Sequence, residues 1–584
     1  MGRAAQLITE NFGLWSAAVK TKSSAGRGSN KKLELYGISK LRELILDFAV
    51  RGMLVQQDQN DEPASKYLER IAAAKIKLLE DKKIKKQRPL AKIETDSMEF
   101  DLPRGWQWER LGNLVEMYNG RAFKSTEWRT EGLPIVRIQN LNDNKADFNY
   151  FQGELSDSNR IANGSFLISW SGTPGTSFGA FIWERGPAAL NQHINKCKFH
   201  SDEVNLDFMR LAVNGQMNHF ISKAQGGVGL KHVTKGTLNN AILGIPPLAE
   251  QHRIVAKVDE LMALCDQLEQ EQENNIETHE TLVSTLLDAL TSAAADASQF
   301  AVAWQRVQDN FDILFKTESS INQLKKAILQ LAVMGKLVRQ YPEDEPARNA
   351  LNRIKDKEEQ FDKDKINSKP TSTSKIPEEE PKFQIPESWE WTRINELTDP
   401  AREISYGIIK LEKEPLEGGI PTLRCSDVKP RELDISSVRK VSPEVELPYK
   451  RTRLQGGEIL INIRGTLGGV ALVPKELSGF NIAREVAMIP FDKDISGMYL
   501  VNTIASPFFW QMIESNLKGT AYKGLNLKTL RELILPLPPV NEQHRIVAKV
   551  DELMMVCDQL KAKLAQAQET HLKLADSIVE QAIQ

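Results

Sequence analysis

The chain spells nearly the same sequence twice, and this limits what it can fold into more than any other feature. Glu250 to Met262 reads EQHRIVAKVDELM, and the same run returns from Glu542 to Met554, 292 residues later. The match extends upstream, where PPLAEQ at Pro246 to Gln251 is answered by PPVNEQ at Pro538 to Gln543, and downstream, where ETH at Glu277 to His279 recurs at Glu569 to His571. A second block repeats at an offset of 283: ILDFAVRGMLV from Ile45 with ILQLAVMGKLV from Ile328, DEPA at Asp61 with DEPA at Asp344, and LPRGWQWERL from Leu102 with IPESWEWTRI from Ile385. The offset grows between Trp108 and Pro246, so insertions collect there, as they do in loops. A period this long excludes a solenoid, whose units run about 20–50 residues. It implies domain duplication, a pseudo-two-fold axis, and a ligand that offers two similar sites.

The repeat sets the domain boundaries. Residues 33–101 form a repeated helical segment and linker, 102–247 a variable domain, and 248–290 a long helix. Residues 291–384, 385–539 and 540–584 repeat that order, and 1–32 stand outside it as an N-terminal extension. The variable segments have diverged while their flanks have not, which describes one frame holding two different readers.

The helix starts carry a 4-3 apolar spacing. Ile254, Val258, Leu261, Cys265 and Leu268 recur as Ile546, Val550, Leu553, Cys557 and Leu560, the pattern of a heptad seam. The first seam continues through Leu282 and Leu286, the second through Leu564, His571, Leu574 and Ile578. Pro246-Pro247 and Pro538-Pro539 stand just before each helix, where proline costs no interior hydrogen bond. Each helix is predicted to run about 40 residues, or about 60 Å, and the two most simply pair antiparallel. Glu250, Gln251 and Arg253, with Glu542, Gln543 and Arg545, read either as helix starts favoured by the dipole or as a surface for a partner protein. His279 and His571 read as packed seam residues. Because Leu33 to Val55 corresponds to the segment around Ile321 to Val338, two-fold symmetry predicts that the N-terminal segment packs beside the C-terminal helix, with Phe48 near the helix that carries Leu574.

Each variable domain opens on Trp-x-Trp, at Trp106 and Trp108 and at Trp389 and Trp391. GSFLISWSGTPG from Gly164 aligns with GEILINIRGTLGG from Gly457, a buried strand running into a Gly-Thr turn. That turn is either a plain hairpin or one that touches a phosphate backbone. NQH at Asn191 to His193 is set against NIAR at Asn481 to Arg484, and Lys231 against Lys523, each lysine in a loop ahead of a short helix. The linkers around 66–100 and 350–384 read as a helix ending in a tether and as a flexible tether.

Charge is balanced, 76 basic against 78 acidic residues, and 41% of residues are hydrophobic, as in an ordinary soluble protein. No apolar run approaches the roughly 18 residues of a membrane span, and no leader opens the chain. Cys197, Cys265, Cys425 and Cys557 lack metal-ligand spacing, which fits a reduced cytoplasmic setting. Gly335-Lys336 is followed by leucine and lacks the glycine of a phosphate loop. No nucleophile with a nearby base stands out. The expectation is a binder without cofactor or metal of its own. The variable domains are nearly neutral, so clamp charge for nucleic acid is either local or supplied by a partner.

Two variable domains alternating with two near-identical helical regions resemble the specificity subunit of type I restriction-modification enzymes. The PP-x-x-EQ-x-RI helix start, the W-x-W opening and the G-x-x-L-I-x-x-x-G-T hairpin carry the resemblance, from about Leu33 onward. It implies a mixed fold, α/β in the α+β sense: two target recognition domains joined by two long antiparallel coiled-coil helices. It implies double-stranded DNA as ligand, read as a bipartite asymmetric site. It implies as partners two methyltransferase subunits that bind S-adenosylmethionine, and two motor-nuclease subunits that use ATP and Mg. Candidate DNA contacts are Arg121, Lys124, Arg137, Thr173 and Lys231 in the first reader, and Arg424, Arg464, Thr466 and Lys523 in the second. Arginine suits guanine edges and lysine phosphates. The Glu-Gln-x-Arg openings with Ile254, Val258, Leu261, Ile546, Val550 and Leu553 are the candidate partner or coiled-coil interface. Alternatives are the recognition subunit of a fused methyltransferase-nuclease and a coiled-coil scaffold without a DNA role.

Overall fold

A computed structural model describes residues 8, 10–22, 32–86, 88–94, 100–172, 178–216, 231–364, 383–517 and 524–583. The chain divides into two compact units, Met1–Asn274 with Ala567–Gln584, and Asn275–Gln566. The long helices run Leu248–Ser292 and Val540–Ile583. Each therefore begins in one unit and ends in the other, in opposite senses.

In unit 1 the helix Tyr36–Val50 buries Ile38, Leu41, Leu44, Ile45 and Phe48 against the apolar stripe of Ile254, Val258, Leu261, Cys265 and Leu268. The same core takes in Ala575 and Ala582 from the end of the second long helix, and Tyr36 donates to Asp576 at 2.6 Å. The N-terminal segment thus packs beside the C-terminal helix, as the symmetry argument requires. Arg42 pairs with Asp266 at 2.5 Å and Glu269 at 2.8 Å. Unit 2 repeats this assembly with Glu318–Val333 against Ile546, Val550, Met554 and Cys557, and Lys325 pairs with Asp558 at 2.5 Å, the repeat counterpart of Arg42 with Asp266.

Two expectations change. The seam register slips by one residue along each helix. Val283, Leu287 and Leu290 are the buried positions and Leu282 is 44% exposed; Ala575 and Ala582 are buried and Leu574 is 48% exposed. A straight helix repeats every 3.6 residues and drifts off a 3.5 spacing, and the slip falls where each helix passes from one unit to the other. Nor is the N-terminal extension wholly foreign to the repeat. Asn11-Phe12 opens the helix Phe12–Ala17, and Asn310-Phe311 opens the short helix Phe311–Leu314. Trp15 and Leu314 are fully buried, and Ile8 and Val307 are buried at matching places upstream. Each pair of helical turns leads into the apolar helix that follows it, Tyr36–Val50 or Glu318–Val333.

The variable domains share a topology. In unit 1 an antiparallel sheet orders Gly179–Trp183, Ser165–Ser169, Ile194–Phe199 and Val115–Asn119. Unit 2 orders Val470–Leu472, Ile459–Asn462, Val486–Ile489 and Ser405–Tyr406 in the same way. A second sheet in each is built on a parallel pair, Leu133–Val136 with Ala188–Leu190 and Ile420–Leu423 with Asn481–Ile482. The first and last strands of each domain close on each other: Gln107–Arg110 with Ile242–Ile245, and Glu390–Arg393 with Ile534–Leu537. The domain therefore leaves the helical frame and returns to it at one place.

Candidate nucleic-acid interface

The repeated Glu-Gln-His-Arg opening is used inside each unit. Arg545 holds Asp344 through two N–H groups at 2.5 and 3.3 Å, and Arg253 holds Asp61 at the same two distances. Gln543 Nε2 donates to Pro538 O at 2.9 Å and Gln251 Nε2 to Pro246 O at 3.1 Å. Trp389 donates to Glu542 at 3.0 Å, and Glu250 has Trp106 and Gln57 as its polar neighbours. Burial pushes both carboxyls above the usual range, partly offset by those donors. Glu250, Gln251, Glu542 and Gln543 are buried, as are Ile254, Val258, Ile546 and Val550; Leu261 is at the edge of burial and Leu553 is half-buried. Of the two readings, helix start and partner surface, these contacts fit the first. The network ties the DEPA loop, the Trp-x-Trp strand and the long helix together, so it fixes each variable domain on its frame.

At the far end of the main sheet three loops meet. In unit 1 Lys231–His232 pairs antiparallel with Ser171–Gly172, and Val233 N donates to Trp170 O at 2.9 Å. In unit 2 Leu525 N donates to Ile463 O at 2.9 Å. The hairpin and the lysine loop, singled out separately in the sequence, are therefore neighbours. The third loop is the crossing at Gly120 and Gly407. A Cβ at Gly120 would lie 2.1 Å from Asn191 O, and one at Gly407 1.8 Å from Ile482 O. Only glycine lets the strand pass this close to the turn that follows Leu190 or Ile482.

On this rim unit 2 forms a cleft of about 130 Å³ lined by Tyr406, Ile409, Ile463, Arg464 and Arg484. Arg464, Arg484 and Thr466 are exposed, and neither guanidinium has an acidic partner among the described residues. Arg424 differs. It donates to Asp427 at 3.0 and 3.2 Å and to Ser437 O at 3.0 Å, so its fork is occupied. Arg121 is occupied too, paired with Glu127 and lying 5.0 Å from the Phe123 ring and 4.9 Å from that of Phe151. Arg137 sits 5.4 Å from the Trp128 ring, and Lys124 is exposed. Thr173 and Lys523 lie outside the described residues; for Lys231 only the backbone is described. Arg484 and Tyr406 were not among the sequence candidates, although Arg484 stands in the aligned NIAR run. Among the described residues no group of three or more His, Cys, Asp or Glu is placed to hold a metal, and no helix is long and apolar enough to cross a membrane.

The model of the type I restriction modification DNA specificity domain matches this chain twice, over residues 103–278 and 386–569. The type I restriction enzyme EcoEI specificity subunit of Escherichia coli is 34% identical over 99% of this chain and 99% of its own length. The EcoAI specificity subunit of the same organism is 33% identical over 99% of both. Among solved structures, the HsdS subunit from Thermoanaerobacter tengcongensis is similar at 17% identity and a TM-score of 0.39, covering 83% of this chain and 98% of that one.

Proposed function

This chain belongs to the type I restriction-modification DNA specificity family, and from that premise we propose that its two variable domains read the two halves of a split, asymmetric DNA site. It is a recognition subunit, not an enzyme, that binds DNA and assembles with the other subunits of its system. The observation that carries the split-site reading is the duplication itself. Two domains of one topology stand on matching frame networks, yet their rims present different side chains. Sequence is read at major-groove edges, where all four base pairs differ. Two readers on one face of B-DNA fall about 10–10.5 bp apart or multiples of that. The partners proposed are two methyltransferase subunits, which use S-adenosylmethionine and flip adenine out of the duplex, and two motor-nuclease subunits that use ATP and Mg, all in the cytoplasm. Arg464, Arg484, Arg137, Lys124, Thr466, Thr173, Lys231 and Lys523 are the proposed DNA contacts. Arg121 and Arg424 serve mainly to shape their loops.

The test is co-expression with the partner methyltransferase in cells without other adenine methylation, followed by genome-wide mapping of methylated adenines. A split motif with a fixed gap is expected. A stable complex that yields a continuous motif would refute the split-site reading.

A further inference from the structure

The rim turns of the two readers share several main-chain hydrogen bonds, and these set their register. In unit 1 Asn191 N donates to Val136 O at 3.1 Å and Ile194 N to Asn191 O at 3.1 Å. In unit 2 Ala483 N donates to Leu423 O at 2.8 Å and Val486 N to Ala483 O at 3.0 Å. The next tie also matches: Trp170 N donates to His193 O at 3.3 Å, and Ile463 N to Glu485 O at 2.8 Å. This register makes Gln192 the counterpart of Arg484, and Ser171 the counterpart of Arg464. These main-chain ties are common to both readers, although Arg484 N also donates to Ile408 O at 2.9 Å in unit 2; the side chains that project from the turns differ.

The side chains differ in a way that has chemical meaning. Arg484 is exposed, lines the cleft with Arg464 and Tyr406, and has no acidic partner among the described residues. Two guanidiniums lining one small cleft, neither with an acidic partner among the described residues, suit an acceptor-rich ligand. Gly524 packs close beside Arg464, where a Cβ would lie 3.3 Å from the Arg464 Cγ. Gln192 is an exposed amide that meets His193 at 3.1 Å. An arginine fork donates two N–H groups, which match O6 and N7 of guanine. A glutamine amide donates one and accepts one, which matches N7 and N6 of adenine.

We infer that the 192/484 position is a base-reading position in both domains, and that Arg484 selects a guanine in one half-site where Gln192 selects an adenine in the other. The inference rests on the split-site reading above and goes beyond it by naming the residue and the base.

The experiment uses the full complex with its methyltransferase partner and maps methylated adenines for the wild type, Arg484→Gln, Arg484→Lys and Gln192→Arg. Arg484→Gln is expected to reduce discrimination for guanine at one position of one half-site by about 5- to 150-fold, turning it toward adenine. The other half-site and the gap stay as they were. Arg484→Lys keeps the charge but loses the fork, so it relaxes the same position. Gln192→Arg moves one adenine of the other half-site toward guanine. If Arg484→Gln still methylates and both half-sites are unchanged, position 484 does not read a base, while the split-site reading stands. If it lowers methylation equally at every site and Arg484→Lys restores it, the residue holds a phosphate and the base assignment is overturned. A wild-type complex that gives no split motif overturns both the reading and the inference.

Discussion

The frame network permits a quantitative test, because nature has built it twice. Asp344 is 8% exposed and receives two N–H groups from Arg545. Asp344→Asn leaves the shape and removes the charge. A hydrogen bond to a charged group contributes about 1.5–3 kcal/mol. The larger penalty of about 3–5 kcal/mol for stranding a buried charge does not apply, since the Arg545 side chain remains 30% exposed and can turn to water. The expected loss is therefore about 1.5–3 kcal/mol, or roughly 10- to 150-fold faster amide exchange. Asp61→Asn should cost the same, because Arg253 holds it at the same distances. Hydrogen exchange read by mass spectrometry localises the effect. The identical core peptides are told apart by their flanks, Leu248-Ala249 and Val540-Asn541. Each substitution should loosen its own helix start, and the double variant should show both effects without excess, since the two pairs share no partner. A pH series supplies the sign. Arg545 holds the Asp344 carboxyl below its ordinary range, so the unfolded chain binds the proton more readily. The contribution is complete above the unfolded value near 3.9 and is lost as pH falls through the folded one. Asp344→Asn should remove that part of the acid limb. A change under twofold at both helix starts would refute the argument.

Other outcomes follow from single residues. His200 is buried, and desolvation with the nearby charge of Lys75 pushes its pKa down to about 4. The unfolded chain takes up that proton near 6.5, so stability should fall from about pH 6.5 to 4, and His200→Leu should flatten that slope of Tm against pH. Gly407→Ala drives a Cβ to 1.8 Å from Ile482 O; a loss of about 3 kcal/mol and of the half-site read by unit 2 should appear together in thermal unfolding and methylome maps. Arg424→Ala should lower the stability of its loop without changing the methylated motif, because its fork is filled by Asp427 and Ser437.

The duplicated frame was legible in sequence because both copies carry the same buried network. Glu250, Arg253, Asp61 and Trp106 must change together or not at all, and so their counterparts remain recognisable. The Asn11-Phe12 repeat is faint in the sequence because only two buried pairs, Ile8 with Val307 and Trp15 with Leu314, constrain it. Site residues were less legible for a different reason. Sequence displays a charge but not its partner. Arg424 has Asp427 three residues on, and Arg121 has Glu127 six residues on; an acid so near along the chain was the available signal that both were occupied. Arg484 was hidden by register. Aligning Asn191 with Asn481 by identity places Gln192 opposite Ile482, two residues from its bonded counterpart.

That slip exposes how the molecule separates constancy from variation. Asn481 is itself buried and bonded to Thr452 at 2.7 Å and Glu446 at 3.0 Å, so its identity serves the core of unit 2. Asn191 belongs to the turn in unit 1, where the backbone alone makes the shared bonds. In both readers the glycine crossing, the parallel strand pair and the turn amides are main-chain features that no side-chain substitution at 192 or 484 disturbs. Those two positions can therefore diverge without cost to the fold. A rim built from backbone bonds, on a frame built from side-chain bonds, allows one half-site to be rewritten while the other half-site and the gap are held. For that reason Arg484→Gln should alter one base of one half-site, whereas Asp344→Asn should weaken the anchoring of unit 2 without redirecting what it reads.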